Sequence, residues 1–233
     1  MFKRLFKKSA SQPSPPEWLQ SYFEEEAAQP SIKTNLKQLR FVVIDTETTG
    51  LKIKKDHLLS IGAVVIEKEA IVVAQSIESV LFQEESMENE AILIHGLLPS
   101  DASLGKKVQS ALAEFLTVLR HSVIVAHHVG FDVKMLENTF RLFYPKFRFY
   151  NHKLDTALLA MKVDRVHPQR DVYNREAYSL DRLCERYNIE VVERHTAWGD
   201  AYTTALLFMK LTQILEERGL HRLDQLNIRR MAW

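Results

Sequence analysis

The sequence predicts a mixed α/β domain in which several consecutive strands precede strands that alternate with helices. The first observation is a set of apolar runs within residues 41–82, each short enough to form one strand. The second is the helical spacing of apolar residues after residue 105. The third is the composition, because 46% hydrophobic and 26% charged residues over 233 positions are typical of a globular protein with a substantial core.

Three apolar segments predict the strands of the first half. They are residues 41–44, 58–66 and 71–82. The polar residues 67–70 predict a turn that joins the last two strands as a hairpin. The first segment runs directly into acidic positions, which favours a buried strand that ends at a polar edge of the sheet.

The second half alternates helical and strand patterns. Helices are predicted at 105–120, 131–143, 179–186 and 198–218, and short strands at 122–126 and 153–155. Ser179 is a good N-cap for the third of these helices, and Gly219 ends the last one. The polar residues 161–176 predict a loop.

The two ends of the chain differ from the segment between them. Residues 1–37 predict an arm outside the main domain, with four basic residues in 1–8, a proline-rich linker in 9–16 and a possible short helix at 17–28. No apolar segment follows the basic residues, so they do not form a signal peptide. The main domain is predicted at 38–218, and 219–233 is predicted to be a short tail.

Charge and cysteine content restrict the class of protein. The 31 basic and 30 acidic residues give a net charge of +1, without the strongly basic balance that is usual for a nucleic-acid-binding domain. The single cysteine, Cys184, cannot form an intramolecular disulfide, which favours a reducing compartment and predicts a cytoplasmic protein. No apolar run approaches the ~20 residues that a membrane span requires.

Acidic residues at three places in the chain predict a site for a metal ion. Asp45 and Glu47 are two positions apart at the end of the first strand, so their carboxylates lie on the same face. Like charges this close raise each other's pKa unless a hard cation such as Mg²⁺ or Mn²⁺ neutralises them. Asp132 falls in the first turn of one predicted helix and Asp200 in the first turn of another. His195 precedes Asp200 in a loop and could accept a proton from water.

Each of these residues also has a simpler explanation when it is considered alone. Strands often end in polar residues at the solvated rim of a sheet, and the helix dipole favours a carboxylate such as that of Asp132 in a first turn. His195 is one of nine histidines and could be an exposed loop residue. The hypothesis of a metal site therefore depends on the combination and order of these residues.

These residues occur in an order that resembles the motif pattern of a known family, the DEDDh (DnaQ-like) 3′–5′ exonucleases. Within this family, the sequence is similar to the exonuclease domain of the DNA polymerase III epsilon subunit. The resemblance covers residues 38–218 and rests on three motifs: DTETTGL at 45–51, AHHVGFD at 126–132 and HTAWGD at 195–200. It implies a ribonuclease H-like fold, with a three-strand meander and parallel strands in one mixed sheet flanked by helices. His128 departs from the pattern, because the family usually has asparagine there.

The resemblance also implies a mechanism and a set of site residues. Asp45, Glu47, Asp132 and Asp200 would hold two Mg²⁺ or Mn²⁺ ions, and His195 would act as the general base. Residues implied to contact the terminal nucleotide are Thr48, Thr49, Gly50, Leu51 and His95. The expected activity is metal-dependent removal of nucleoside monophosphates from the 3′ ends of DNA, with single strands as the expected form.

Several alternatives remain open from the sequence. The same acids would serve an exonuclease that trims RNA, since both polymers contain the same phosphodiester, and a non-catalytic module that binds nucleic acid or a polymerase is a third possibility. Whether a polymerase acts with the protein in trans stays open, and a sliding clamp is a second candidate partner because residues 225–228 faintly resemble a clamp-binding peptide. The N-terminal arm could bind nucleic acid, an anionic membrane or a protein. The oligomeric state is not predicted.

Overall fold

The computed structural model describes residues 14–25, 28–81, 105–167, 169 and 171–226. Within them, one sheet contains six strands: β1 (Arg40–Thr48), β2 (Leu58–Glu67), β3 (Ala70–Ile71), β4 (Ile77–Val80), β5 (Ser122–Ala126) and β6 (Lys153–Asp155). The strand order is β3-β2-β1-β5-β6, and β4 pairs with the same edge of β2 as β3. The pairs β1–β2, β2–β3 and β2–β4 are antiparallel, whereas β1–β5 and β5–β6 are parallel. The predicted fold class is therefore confirmed.

Seven α-helices are found in the described residues. They are α1 (Glu17–Glu24), α2 (Val108–Leu119), α3 (Val129–Phe140), α4 (Thr156–Val163), α5 (Leu180–Tyr187), α6 (Ala197–Glu217) and α7 (Leu223–Leu226). Short 3₁₀ helices lie at Leu36–Gln38, Val73–Gln75 and Arg175–Tyr178. Ser179 caps α5 as predicted, and its Oγ accepts a hydrogen bond from Arg182 N at 3.5 Å.

Helices cover both faces of the sheet, which explains why the central strands are apolar at every position rather than at alternate ones. Val42 and Ile44 of β1 pack on the face that α1, α2 and α3 cover. Phe41 and Val43 point to the opposite face, where α4, α5 and α6 pack. Odd-numbered residues of β1 thus face α6 and even-numbered residues face α3, and this alternation continues into the acidic end of the strand.

Two elements differ from the sequence-based predictions. The strand expected at 71–82 is divided into β3 and β4 by the 3₁₀ turn Val73–Gln75, where Ser76 Oγ donates to Val72 O instead of continuing the ladder. Residue 82 lies outside the described residues. The loop expected at 161–176 begins inside helix α4, whose two turns are too short to show a clear helical period in the sequence.

Helix α1 corrects the expectation that residues 1–37 form an arm outside the domain. Leu19 and Tyr22 are fully buried against the α3 side of the sheet. The Tyr22 ring lies 4.2 Å from the Tyr150 ring, and its hydroxyl donates to Asn151 Oδ1 at 2.7 Å. The apolar side chains of residues 17–24 pack into the core, because the apolar face of an amphipathic helix is stable only when another surface covers it. The basic segment 1–8 lies outside the described residues.

The C-terminal segment is also more closely attached than a tail. Leu223 and Leu226 of α7 are buried, and Leu36 N donates to His221 O at 2.8 Å. Leu226 belongs to the segment that resembles a clamp-binding peptide, so burial removes that side chain from the surface, while residues 227–233 lie outside the described residues. In the described part of the chain, no helix is long and apolar enough to cross a membrane.

Candidate active site

Three carboxylates from distant parts of the chain meet at one end of the sheet. Asp45 and Glu47 stand on the face of β1 that α6 covers, and Asp200 lies in the first turn of α6. One carboxylate oxygen from each residue lies within 4.8 Å of those of the other two. Glu47 and Asp200 are buried, and Asp45 is half-buried beside them.

Gly62 allows α6 to approach the sheet closely enough to form this cluster. It is the residue of β2 directly paired with Asp45. A Cβ atom at position 62 would lie 2.0 Å from Ala197 O and 2.5 Å from Trp198 N, both backbone atoms at the start of α6. Sequence analysis gave Gly62 no role, although a glycine within an otherwise apolar strand often marks such a close approach.

The start of α6 is fixed by its own capping residue. Thr196 Oγ1 accepts a hydrogen bond from Gly199 N at 3.0 Å, which makes Thr196 the N-cap. His195, with φ of +66°, turns the chain into the helix, and its side chain is exposed. As predicted, His195 lies in the loop and Asp200 in the first helical turn.

The two oxygens of Asp200 have different surroundings. Oδ2 accepts a hydrogen bond from Arg194 Nη1. Oδ1 is buried and has no hydrogen-bond partner among the described residues. Because a buried carboxylate oxygen without a partner is costly, this atom is available to a cation.

Arg194 is a charged residue of the site that sequence analysis missed. Besides Asp200, it contacts Asp181 in the first turn of α5, where Nε donates to Oδ1 at 2.7 Å. The Arg194 side chain is 28% exposed, so the protein partly screens it from water. A basic residue next to the HTAWGD motif was the only available signal, and a single loop arginine is too common to indicate such a role.

Asp132 reaches the same end of the sheet from the opposite face. It lies in the first turn of α3 and accepts a hydrogen bond from Thr46 Oγ1 at 2.8 Å. It does not belong to the group of three carboxylates within 4.8 Å. The structure therefore brings Asp45, Glu47 and Asp200 together and holds Asp132 beside them through β1.

Burial and mutual repulsion make this cluster electrostatically unfavourable without a cation. Burial, followed by the charges of Asp132, Asp200 and Glu47, raises the pKa of Asp45 well above its ordinary value. Burial also raises the pKa of Asp132 to about 7. The pKa of Asp200 is raised by burial as well, although Arg194 opposes this change. Such carboxylates are ligands that hard divalent cations prefer.

Asp155 has a structural role at the starts of two helices. Its carboxylate accepts hydrogen bonds from Val129 N at 3.1 Å and Ala157 N at 3.0 Å, so one side chain caps the starts of both α3 and α4. His128, the N-cap residue of α3, has φ of +65° in the left-handed region. Asparagine and histidine both adopt this conformation more readily than most residues, so the backbone at position 128 suits the histidine present as well as an asparagine.

The residues expected to contact substrate lie in the turn that follows β1. Thr48 Oγ1 donates to Gly50 O at 2.8 Å, and Thr49 Oγ1 accepts from His57 N at 2.9 Å. Leu51 is 82% exposed beside this turn. His95 lies outside the described residues, so its predicted role stays a prediction.

A mixed sheet with a buried carboxylate cluster at the end of its central strand defines a class of nuclease. Residues 42–208 match the family model RNase_T, described as exonuclease. The chain belongs to this exonuclease family, which confirms the resemblance inferred from the three motifs.

Curated relatives give the same assignment at the level of individual proteins. The chain is 27% identical over 199 residues to a PolC-type DNA polymerase III of Thermotoga petrophila, covering 84% of this chain and 14% of that polymerase. It is 28% identical over 186 residues to the DNA polymerase III epsilon subunit of Rickettsia prowazekii, covering 76% of each. The chain thus spans a small part of the polymerase and most of the subunit.

A solved structure supports the fold. Escherichia coli exonuclease I, in complex with a dT13 oligonucleotide, superposes with a TM-score of 0.64 over 78% of this chain and 43% of that chain. The two sequences are 18% identical over this region, so the likeness concerns the arrangement of strands and helices.

Proposed function

We propose that this protein is a metal-dependent 3′–5′ exonuclease that removes nucleoside monophosphates from single-stranded DNA ends. The observation that carries the proposal is the convergence of Asp45, Glu47 and Asp200, with the buried Oδ1 of Asp200 lacking a partner among the described residues. A non-catalytic module would not need to maintain this costly cluster.

The residues present fit a site for divalent cations. Asp45, Glu47 and Asp200 would hold the ions directly, and Asp132 would complete the set from the start of α3. Two Mg²⁺ or Mn²⁺ ions are the proposed complement, since four carboxylates gathered at one end of the sheet would otherwise repel one another. The raised pKa values of Asp45, Asp132 and Asp200 reflect this cost. When bound, such ions stabilise the attacking and leaving oxygens of a phosphodiester displacement.

The protein's own residues would orient the substrate and move the proton. His195 is exposed at the start of α6, and its positive charge, when protonated, lowers the pKa of Asp200, which places it near the cluster. We assign to it removal of a proton from the attacking water by a ring nitrogen. The turn at Thr48, Thr49 and Gly50 would position the terminal nucleotide, and the exposed Leu51 would contact its base.

A relative and a structural neighbour support the choice of DNA. The Rickettsia relative is a DNA polymerase subunit, and the superposed exonuclease I binds a DNA oligonucleotide. We therefore also propose a cytoplasmic role beside a polymerase in trans. The buried Leu226 makes the weak clamp-binding resemblance a poor basis for a clamp partner.

Digestion of end-labelled substrates tests the proposal. Single-stranded DNA, duplex DNA and RNA with a 5′ label are incubated with Mg²⁺, with Mn²⁺ or with a chelator. We expect a ladder of progressively shorter products that needs a divalent ion and is strongest with single-stranded DNA. Internal cuts alone, or cleavage that survives chelation, would refute the proposal, and faster shortening of RNA would assign the substrate to the alternative.

Substitutions then connect the activity to the cluster. Asp45→Ala and Asp200→Ala should each abolish shortening while the protein remains folded by circular dichroism. Asp171→Ala, an exposed aspartate in the loop after α4, is the matched control and should cleave like the unchanged protein. Full activity of both cluster variants would exclude this site.

A further inference from the structure

We propose that the loop 51–57, together with the adjoining face of α3, forms a track that binds the backbone of single-stranded nucleic acid upstream of the terminal nucleotide. This inference rests on the proposed function, because the track is argued to feed the same carboxylate cluster. Its elements are a rigid loop, four exposed lysines and a groove between the loop and the helix.

Asp56 organises the loop from inside. Its Oδ2 accepts a hydrogen bond from Lys52 N at 2.5 Å, and its Oδ1 accepts one from Thr49 Oγ1 at 3.4 Å. A Cβ atom at Gly50 would lie 2.7 Å from Asp56 Oδ2, so the chain wraps tightly around this carboxylate. Asp56 also lines the groove between the loop and α3, where it contributes one negative charge against the four lysines.

The loop is also attached to both neighbouring elements. Thr49 N donates to His57 O at 3.0 Å, which closes the base of the loop. Asn138 Nδ2 of α3 donates to Ile53 O at 2.9 Å, which fixes the middle of the loop to the helix. These bonds fix the backbone of the loop, which reduces the entropic cost of ordering the loop on binding.

Four lysines line this surface. Lys52, Lys54 and Lys55 are exposed on the loop, and Lys134 is exposed on α3, one turn before Asn138. In the described part of the chain, none of the four forms an ion pair with a carboxylate. Because no acidic side chain pairs with them there, this cluster presents an unbalanced positive charge.

The groove between the loop and α3 offers both kinds of contact that a single strand uses. It has a volume of about 250 Å³, and its lining includes Lys54, Lys55, His57, Asn138 and Leu142. Lysines at the rim suit phosphates, and the apolar wall suits bases. Leu142 is 78% exposed at one end of the groove, so its side chain can be reached by a base.

The surface continues directly from the carboxylate cluster. Lys134 and Asn138 are one turn apart on the exposed side of α3, the helix whose first turn carries Asp132. The loop begins where β1 ends, and Leu58 at its other end pairs with Thr48. A strand whose terminal nucleotide reaches the cluster would therefore place its next phosphates along these lysines, which favours nucleic acid over an acidic protein.

The test compares two triple charge reversals. The track variant reverses Lys52, Lys54 and Lys55 to glutamate, and the control variant makes the same change at exposed lysines elsewhere. The control positions are Lys33, Lys68 and Lys210. Thermal unfolding of both variants checks that they are folded, and a milder variant with glutamine at the three track positions separates removal of charge from reversal.

Binding of fluorescent dT16 is measured by anisotropy with Ca²⁺ in place of Mg²⁺, over a range of salt. We expect the track variant to bind at least tenfold more weakly. The slope of log affinity against log salt should decrease by about 2, because each phosphate that a lysine neutralises contributes roughly 0.7 to it. The control variant should bind like the unchanged protein. Equal affinity and slope for the track variant and the unchanged protein would overturn the track.

Hydrolysis of the p-nitrophenyl ester of thymidine 5′-monophosphate separates the two proposals, because this substrate has no upstream phosphates. In the track variant, we expect kcat/KM for dT16 to fall at least tenfold relative to kcat/KM for the ester. The fall should come from a higher KM for dT16, with kcat unchanged. If the unchanged protein hydrolyses neither substrate, the proposed function fails. If it hydrolyses both and the ratio is the same in the track variant, only the track fails.

Discussion

Replacement of Gly62 by alanine should separate Asp200 from the other two carboxylates. The added Cβ would lie 2.0 Å from Ala197 O and 2.2 Å from Ala197 C, whereas side-chain Cβ atoms essentially never approach another atom within 3.0 Å. Because both obstructing atoms are backbone, the start of α6 must move by about 1 Å or more. Asp200, in the first turn of that helix, would move with it.

The size of the effect follows from this displacement. A shift of about 1 Å in a catalytic group can reduce the rate roughly 100-fold. Overpacking of this kind costs about 1–3 kcal/mol of stability, which corresponds to a decrease in Tm of roughly 2–12 °C for a chain of this size. We therefore expect Gly62→Ala to lose far more activity than stability.

The assay measures Tm together with activity as a function of Mg²⁺ concentration. Gly62→Ala should need more Mg²⁺ for half-maximal activity, since one ligand has moved away. Gly219→Ala is the matched control: its position has φ of +85° but nothing within 4 Å of the added atom. It should cost about 1 kcal/mol in stability and leave the Mg²⁺ requirement unchanged. A Gly62→Ala protein with the activity and Mg²⁺ requirement of the unchanged protein would refute the reasoning.

Three further predictions concern stability. Asp155→Ala removes the cap of both α3 and α4 and should cost about 2 kcal/mol, measured by urea unfolding. Tyr22→Ala empties a fully buried site and should cost about 3–5 kcal/mol in the same measurement. The protein in chelator should become less stable as pH rises from about 4 to 7. Burial raises the pKa of Asp132 from 3.8 to about 7, so the folded state keeps a proton that the unfolded chain has released.

Each of these predictions has its own control. Asp155→Asn keeps an acceptor oxygen, so it should lose less stability than the alanine variant, and equal losses would contradict the capping role. Removal of residues 1–13 leaves α1 in place and should keep the stability that Tyr22→Ala loses. Asp132→Asn should make the stability depend less on pH, and so should the addition of Mg²⁺ to the unchanged protein. A stability in chelator that increases over the same pH range would show that the carboxylates are not buried as described.

The sequence predicted those parts of the fold whose side chains follow a simple period. β1, β2, β5 and α6 were found close to their expected positions, because long apolar runs and a capped amphipathic helix leave few alternatives. Helix α4 was missed because its eight residues are apolar almost throughout, and a run of that length does not distinguish a helix from a strand. The packing of α1 was missed because an apolar stripe shows that a helix needs a partner but not which surface provides it.

The same distinction applies to the site. Asp45, Glu47 and Asp200 could be predicted because their motifs have fixed spacing around a strand end and a helix start. Arg194 and Asp181 could not, because their contact joins two segments whose approach depends on the whole fold. The sequence shows Gly62 as a glycine within an apolar strand. It does not show the backbone at the start of α6 that Gly62 contacts, because that backbone is more than one hundred positions away in the sequence.

The wide separation of the ligands in the chain has a consequence for synthesis. Asp45 and Glu47 are made well before Asp200 and the helix that carries it. A nascent chain that stops before residue 197 therefore has three of the four carboxylates but no closed cluster. Since α6 must dock over β1 and β2 before the acids meet, the ability to cut nucleic acid would arise only once α6 has left the ribosome.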